Sequence, residues 1–239
     1  MIHIVASTGS TNADLASRVT AGEYLREGDW LVADRQNAGK GRQGRDWIDG
    51  GGNFMGSTVV HRRASDPPAA SLALLSGLAL REVLVSICMS SDPMLKWPND
   101  LLIDGAKLAG ILLEAQGDAV IIGIGVNLAA APRLADRETI ALSDLGIMQD
   151  RNVFAERLAA QFDTELERWR TAGLDPVLSR WTAAAHPLGT PLTVHEPSGE
   201  AVDGTFAGLD PNGALKLHLA DGATRVIHAG DVDLASRGE

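Results

Sequence analysis

The sequence predicts an α+β fold: a mixed, largely antiparallel sheet with flanking helices, followed by a small C-terminal β barrel. Two observations carry that expectation. Apolar runs at Met94 to Trp97, Asp100 to Ile103, Lys107 to Ala115 and Ala119 to Val126 follow one another closely, and Asp104-Gly105 and Gly117-Asp118 separate the last three. Connections this short cannot hold the crossover helices of a parallel sheet, so they read as antiparallel hairpins. Beyond His186 the chain breaks into short alternating segments punctuated by Gly, Pro and Asp, the spacing of a small barrel.

In chain order, Ile2 to Ala6 reads as a short strand, and the hydroxyls of Ser7-Thr8-Gly9-Ser10-Thr11 can cap a helix beginning near Asn12 or face a ligand. Trp30 to Ala33 and Phe54 to His61 read as strands that hold a Gly/Arg-rich loop between them. Pro67-Pro68 opens a long helix in which Leu72, Leu75, Leu78, Ala79, Glu82 and Val83, mostly apolar, keep a rough 3.6 period. After the hairpins, Phe154, Leu158, Phe162, Leu166 and Trp169 mark an amphipathic helix, and Pro176 to Ala184 a second. Composition shifts at His186-Pro187-Leu188-Gly189, which divides the chain into domains 1–186 and 187–239. The second holds strands at Leu192 to His195, Gly204 to Leu209, Ala214 to Leu219 and Thr224 to His228.

Composition narrows the function. The 239 residues carry a formal charge of −10, with 45% hydrophobic and 22% charged residues, as expected of a folded chain with one sizeable core and a small extra module. Net acidity opposes general nucleic-acid binding, which needs a surplus of Lys and Arg on one face. Cys88 is the only cysteine and sits in an apolar helical stretch, so no disulfide framework and no CxxC pair exists. The six histidines show no HxxxH or HxH spacing, and no GxSxG elbow occurs, which disfavours a protein-held zinc or iron centre and an acyl-enzyme. No basic leader region precedes an apolar run, and no run reaches about 18 residues, so the expectation is a cytoplasmic chain that does not enter a membrane.

Against that acidic background, Asp34 to Trp47 packs three glycines and four cations. Gly39-Lys40-Gly41-Arg42-Gln43-Gly44 satisfies GxGxxG literally. The dinucleotide reading, which would make the chain a nicotinamide oxidoreductase, fails on context. Such a loop must open a helix whose N-terminus receives the pyrophosphate, and Arg45 to Asn53, with Gly50-Gly51-Gly52, is no helix. Walker A is absent too, because Lys40 is followed by Gly41. What remains is a glycine-rich, mobile loop carrying Lys40, Arg42 and Arg45, able to approach and surround an anion. Two further segments fit a site: Lys96-Trp97-Pro98-Asn99-Asp100 places polar turn residues between apolar strands, and Lys107 stands at the mouth of the apolar run to Glu114. Gly123-Ile124-Gly125-Val126-Asn127 ends the next strand with small residues, where close ligand approach is expected.

Ser10-Thr11-Asn12, Gln36 with the Gly39 to Arg45 loop and Trp47, Lys96 to Asp100, Lys107 to Glu114 and Gly123 to Asn127 occur in the order and spacing of biotin protein ligases, and the whole chain resembles that family. The resemblance implies a class II aminoacyl-tRNA synthetase/biotin synthetase-like catalytic domain with an SH3-like C-terminal barrel. It also implies the short form, which has no N-terminal helix-turn-helix domain and so no DNA partner. The implied reaction joins biotin to ATP, with Mg²⁺, as biotinyl-5′-AMP, and passes the biotin to a lysine of the biotin carboxyl carrier protein of an acyl-CoA carboxylase.

By the same resemblance Lys107 and Arg42 are the catalytic cations, acting on the carboxylate and the α-phosphate. Ser10, Thr11, Asn12, Gln36, Lys40, Gly41 and Gly110 join them around biotin. Arg45, Trp47, Asn99, Asp100 and Asn127 fall on the nucleotide side, with Mg²⁺ carried by ATP near Asp100. The family usually has arginine where this chain has Lys40, so the backbone contact there is the one expected to survive. Family members pair through the catalytic sheet, which leaves a homodimer open. The rival readings are a lipoate or octanoate ligase of the same superfamily and a non-catalytic biotin-responsive regulator.

Overall fold

The structure, a computed structural model of the chain, describes residues 1–234. β1 (Ile2–Val5), β2 (Trp30–Ala33), β3 (Phe54–His61), β4 (Met94–Lys96), β5 (Asp100–Ile103), β6 (Ala106–Gln116) and β7 (Ala119–Val126) form one sheet in the order β1-β2-β3-β7-β6-β5-β4. Only β1 and β2 run parallel, because α1 (Thr11–Thr20) lies between them and supplies the crossover; all other pairs are antiparallel. The strand expected over Met94 to Trp97 ends at Lys96, since Trp97-Pro98-Asn99 is the hairpin loop into β5 and its Trp97–Pro98 peptide is cis.

α2 (Leu72–Val85), α3 (Arg151–Ala172) and α4 (Asp175–Ala184) pack into one group, and their apolar residues share a core with the inward side of the sheet. α2 is apolar on nearly every side and correspondingly buried; Ser76, inside it, returns its hydroxyl to Leu72 O at 2.6 Å. The helix starts later than Pro67-Pro68 suggests, because a 3₁₀ turn over Ala69–Ser71 intervenes. Asp150 caps α3 through Val153 N (2.9 Å), and buried Trp169 donates Nε1–H to Ser71 Oγ (2.8 Å), tying α3 to the start of α2.

The other face of the sheet is covered only in part. α1 packs there on β2, β3, β6 and β7 through Leu15, next to Leu31, Val59 and Ile121. Strand alternation then puts Ser57 and Met55 of β3, Gly123 and Gly125 of β7, and Gly110 and Leu112 of β6 on that same face, beyond the helix N-terminus. Small residues in register leave a hollow there instead of a second core.

β8 (Pro191–His195), β9 (Ala201–Leu209), β10 (Leu215–His218), β11 (Thr224–Ile227) and β12 (Asp231–Leu234) make the C-terminal module, an antiparallel sheet in the order β11-β10-β9-β8-β12. β9 starts at Ala201 rather than Gly204, and β12 was not anticipated: Asp231-Val232-Asp233-Leu234 offers two alternations and two acids, too little to stand out as a strand. Trp97 Nε1–H to Gly213 O (3.1 Å) and Lys96 Nζ to Val232 O (2.9 Å) join this module to the β4–β5 hairpin. No helix is long and apolar enough to cross a membrane among the described residues.

His186, at the junction, is buried and its Nε2 has no partner among the described residues. Burial, with help from Lys96, pushes its pKa from 6.5 down to about 4. The unfolded chain takes up a proton below pH 6.5 that the folded chain refuses. Stability is therefore unaffected above that pH and falls between 6.5 and 4, by at most about 3 kcal/mol. His186→Gln removes the titration. Urea unfolding midpoints are expected to fall less steeply from pH 6.5 to pH 4 in the variant than in the parent.

Candidate active site

The Gly/Arg loop is more ordered than its composition suggests. Trp47 N donates to Gly39 O (2.9 Å) and Gly41 N to Arg45 O (2.7 Å), so Gly39 to Trp47 closes as a miniature hairpin around a 3₁₀ turn at Arg42–Gly44. Asp49, whose side chain is 4% exposed, fastens its base by accepting from Arg35 Nε (2.5 Å), Gln36 N (3.2 Å) and Gly51 N (2.7 Å). The hairpin lies over the sheet with Trp47 as its contact. A Cβ on Gly125 would meet the indole at 2.4 Å, so only glycine lets that ring rest on β7.

Between hairpin, sheet and C-terminal module lies a cavity of about 550 Å³, lined by every residue singled out in the sequence: Ser10, Thr11, Asn12, Gln36, Lys40, Gly41, Arg42, Arg45, Trp47, Asn99, Asp100, Lys107, Gly110 and Asn127. Its two ends differ in chemistry. At the α1 end the groups are neutral: Ser10 caps the helix, and Gln36 Oε1 accepts from Thr11 N at 2.7 Å.

At the other end cations and carboxylates alternate. Lys107 Nζ lies 2.5 Å from Asp100 Oδ1, and Lys96 Nζ 3.6 Å from its other oxygen. Burial lowers the Lys107 pKa below the usual ammonium range, and Asp100 offsets part of that shift. Arg42 Nη1 reaches Asp231 Oδ1, Gly230 O (both 3.2 Å) and Asn99 Oδ1 (3.3 Å), while Arg45 Nη2 takes Asp231 Oδ2 at 2.7 Å. Burial pulls the Arg42 pKa down as well, with Asp231 opposing.

The remaining residues sort by contact. Asn99 braces Arg42 while its Nδ2 holds Ile111 O (2.7 Å), so it acts on a cation rather than standing free for a nucleotide. Asn127 Nδ2 donates to Ile140 O (3.2 Å), and its buried Oδ1 has no partner among the described residues. Lys40 lines the cavity from an exposed position, and it is tied to Asp46 by a backbone bridge. Asp100 does not fit a Mg²⁺ ligand, because two lysines already occupy its oxygens, and no group of three His, Cys, Asp or Glu that could hold a metal ion exists among the described residues. Sequence reasoning missed Asp231, Ser57, Asp49 and Arg137. Asp231 and Asp49 carry no local signal, since the arginines they hold are distant in the chain. Arg137, on a loop before α3, lines the same cavity beside Asp136.

The biotin/lipoate A/B protein ligase family model matches residues 7–127, and the biotin protein ligase C terminal domain model matches 188–235. The chain belongs to this family. It is 37% identical over 237 residues to the biotin–[acetyl-CoA-carboxylase] ligase of Mycobacterium tuberculosis, spanning 97% of this chain and 88% of that one. Against the ligase of the same name from Paracoccus denitrificans it is 37% identical, over 96% and 98% of the two chains. In fold it matches the biotin protein ligase from Aquifex aeolicus in complex with biotin and ATP, with a TM-score of 0.87, 23% identity and 98% and 99% of the two chains covered.

Asp231→Ala removes the carboxylate that both arginines of the hairpin share, leaving Arg42 only neutral acceptors at Gly230 O and Asn99 Oδ1. The expected outcome is faster tryptic cleavage after Arg42 and Arg45, located by mass spectrometry, with an unchanged far-ultraviolet circular dichroism spectrum.

Proposed function

We propose that the protein activates biotin with ATP as biotinyl-5′-AMP and transfers the biotinyl group to a lysine of a biotin carboxyl carrier domain of an acyl-CoA carboxylase. The observation that carries this reading is a single cavity with a neutral hydrogen-bonding end at Ser10, Thr11 and Gln36 and a cationic end at Lys107, Arg42 and Arg45. Biotin has the same division: a neutral ureido ring at one end and a carboxylate at the other.

In the first step a carboxylate oxygen attacks the α-phosphorus of ATP, and the bond to pyrophosphate breaks. Two anions have to meet, so the chain's task is neutralisation and alignment. Lys107 and Arg42 supply the charge. Each starts paired with a carboxylate, Asp100 or Asp231, which keeps it in position before the substrates arrive. Arg45 and Arg137 are placed for the rest of the nucleotide, and Trp47 for covering the adenylate, with Mg²⁺ entering as part of the MgATP substrate. In the second step the carrier's lysine nitrogen, having lost its proton, attacks the acyl carbon, and the bond to AMP breaks. The hairpin over the cavity keeps water from the mixed anhydride meanwhile.

On this reading residues 1–186 are the catalytic part and 187–239 a module that completes the cationic end through Asp231. A cytoplasmic setting supplies ATP and carrier. The lipoate alternative is less well supported: it needs a deep apolar channel for a linear chain, and the C-terminal match is to a biotin protein ligase domain.

Purified protein mixed with MgATP, biotin and a carrier domain is expected to add the mass of one biotinyl group to the carrier; lipoate-dependent modification alone would overturn the assignment. Lys107→Ala is expected to abolish biotin-dependent pyrophosphate exchange, and near-normal exchange would remove Lys107 from its role. Arg42→Ala is expected to weaken biotin binding and to speed release of the adenylate without unfolding, measured by isothermal titration and by loss of labelled intermediate on rapid filtration.

A further inference from the structure

The neutral end of the cavity is backed by a line of hydrogen bonds that leads out of it. Asn12 Nδ2 donates to Glu114 Oε2 at 2.7 Å, Ser57 Oγ to Asn12 Oδ1 at 2.6 Å, and Ser57 Oγ lies 2.7 Å from Thr11 Oγ1. Glu114 does not line the cavity; it stands on the cavity face of β6 behind Leu112, opposite Ile121. The line has its own space in the sheet. A Cβ on Gly123 would lie 2.3 Å from Asn12 Oδ1, so the amide occupies the volume that any side chain there would take.

The direction of every proton in this line follows from one end. A carboxylate only accepts, so Asn12 must turn its NH₂ to Glu114 and its oxygen to Ser57. Ser57 spends its single proton on Asn12, and its contact with Thr11 is then donated by Thr11. Thr11 Oγ1 also lies 3.1 Å from Gln36 Oε1, but one proton cannot serve both, and the Ser57 contact is shorter. Thr11 therefore presents lone pairs to the cavity. Gln36 Oε1 is held by Thr11 N–H, which leaves Nε2 beside Gly39 of the hairpin with no hydrogen-bond partner among the described residues. The cavity end offers a donor at Gln36 and an acceptor at Thr11.

We infer that Glu114 is a positioning and specificity-determining residue: through Asn12 and Ser57 it fixes the donor and acceptor pattern that reads the ureido ring. This rests on the biotin reading above. A ureido ring needs a donor for its carbonyl and acceptors for its N–H groups, and the fixed pattern supplies both. With Glu114→Gln, position 114 can donate as well as accept, Asn12 is free to turn over, and the directions at Ser57 and Thr11 are no longer set. Leaving groups of the site misdirected costs on the order of tenfold in affinity.

The test is biotin-dependent pyrophosphate exchange with biotin and with 2-iminobiotin, whose ring carries an imino donor where biotin has its carbonyl acceptor. For Glu114→Gln the expected result is a biotin KM raised about tenfold with kcat and the KM for ATP within about twofold, and a biotin over 2-iminobiotin preference reduced by a similar factor. Ser57→Ala, which cuts the line while leaving Glu114 and Asn12 in place, is expected to do the same and serves if Glu114→Gln does not fold. An unchanged biotin KM and analogue preference in either folded variant overturns the inference, as does an equal rise in KM for biotin and ATP. Failure of the unaltered protein to exchange pyrophosphate with biotin would instead remove the biotin reading itself.

Discussion

Asp100 holds two lysines at the floor of a cavity, and much of the site follows from that arrangement. A buried ammonium is costly in isolation, and burial alone would drive Lys107 toward its neutral form, useless for meeting a carboxylate. With a carboxylate 2.5 Å away the charge is kept, and its position is set by the register of β5 against β6 rather than by a flexible side chain. The same carboxylate draws in Lys96 as an ion pair at 3.6 Å, and the hydrogen bond of that ammonium goes to Val232 O in β12. One acid thus connects the catalytic floor to the second module.

The second connection has the same logic with the signs exchanged in sequence. Arg42 and Arg45 belong to the hairpin, and Asp231, which holds both, belongs to the last described strand. Two guanidiniums on one short turn repel each other, and a shared carboxylate is what lets them stay close. The C-terminal module is therefore part of the cationic site, although none of its residues stood out for chemistry in the sequence. Its contribution also explains how a chain with a net charge of −10 binds an anionic substrate: the cations are local, and each is matched by an acid nearby.

The sheet hairpins from Met94 to Val126 were legible because turn signals and apolar runs agree there, and the helices because their periods are long and clear. The floor of the site was legible for a related reason. Gly123 and Gly125 stood out as small residues ending a strand and Gly110 came from the family resemblance, and all three fall on one face once the register is known. What stayed hidden depends on distant partners. Asp231 and Asp49 look like ordinary surface acids until Arg42, Arg45 and Gln36 N are seen beside them, and β12 is too short for its alternation to register. The loop read as mobile because glycine and charge are common in mobile loops; its own backbone hydrogen bonds, invisible in composition, make it a compact hairpin.

That difference changes how closure should be pictured. A disordered loop would have to pay the conformational entropy of many residues each time it covered a ligand, at about 1 to 2 kcal/mol for each residue fixed. A preformed hairpin moves as a unit, with Trp47 resting on Gly125 at one end and Arg42 and Arg45 on Asp231 at the other. Few contacts hold it in place. In kind these are the contacts that a flat ring system and a phosphate make, stacking on an indole and charge pairing with a guanidinium.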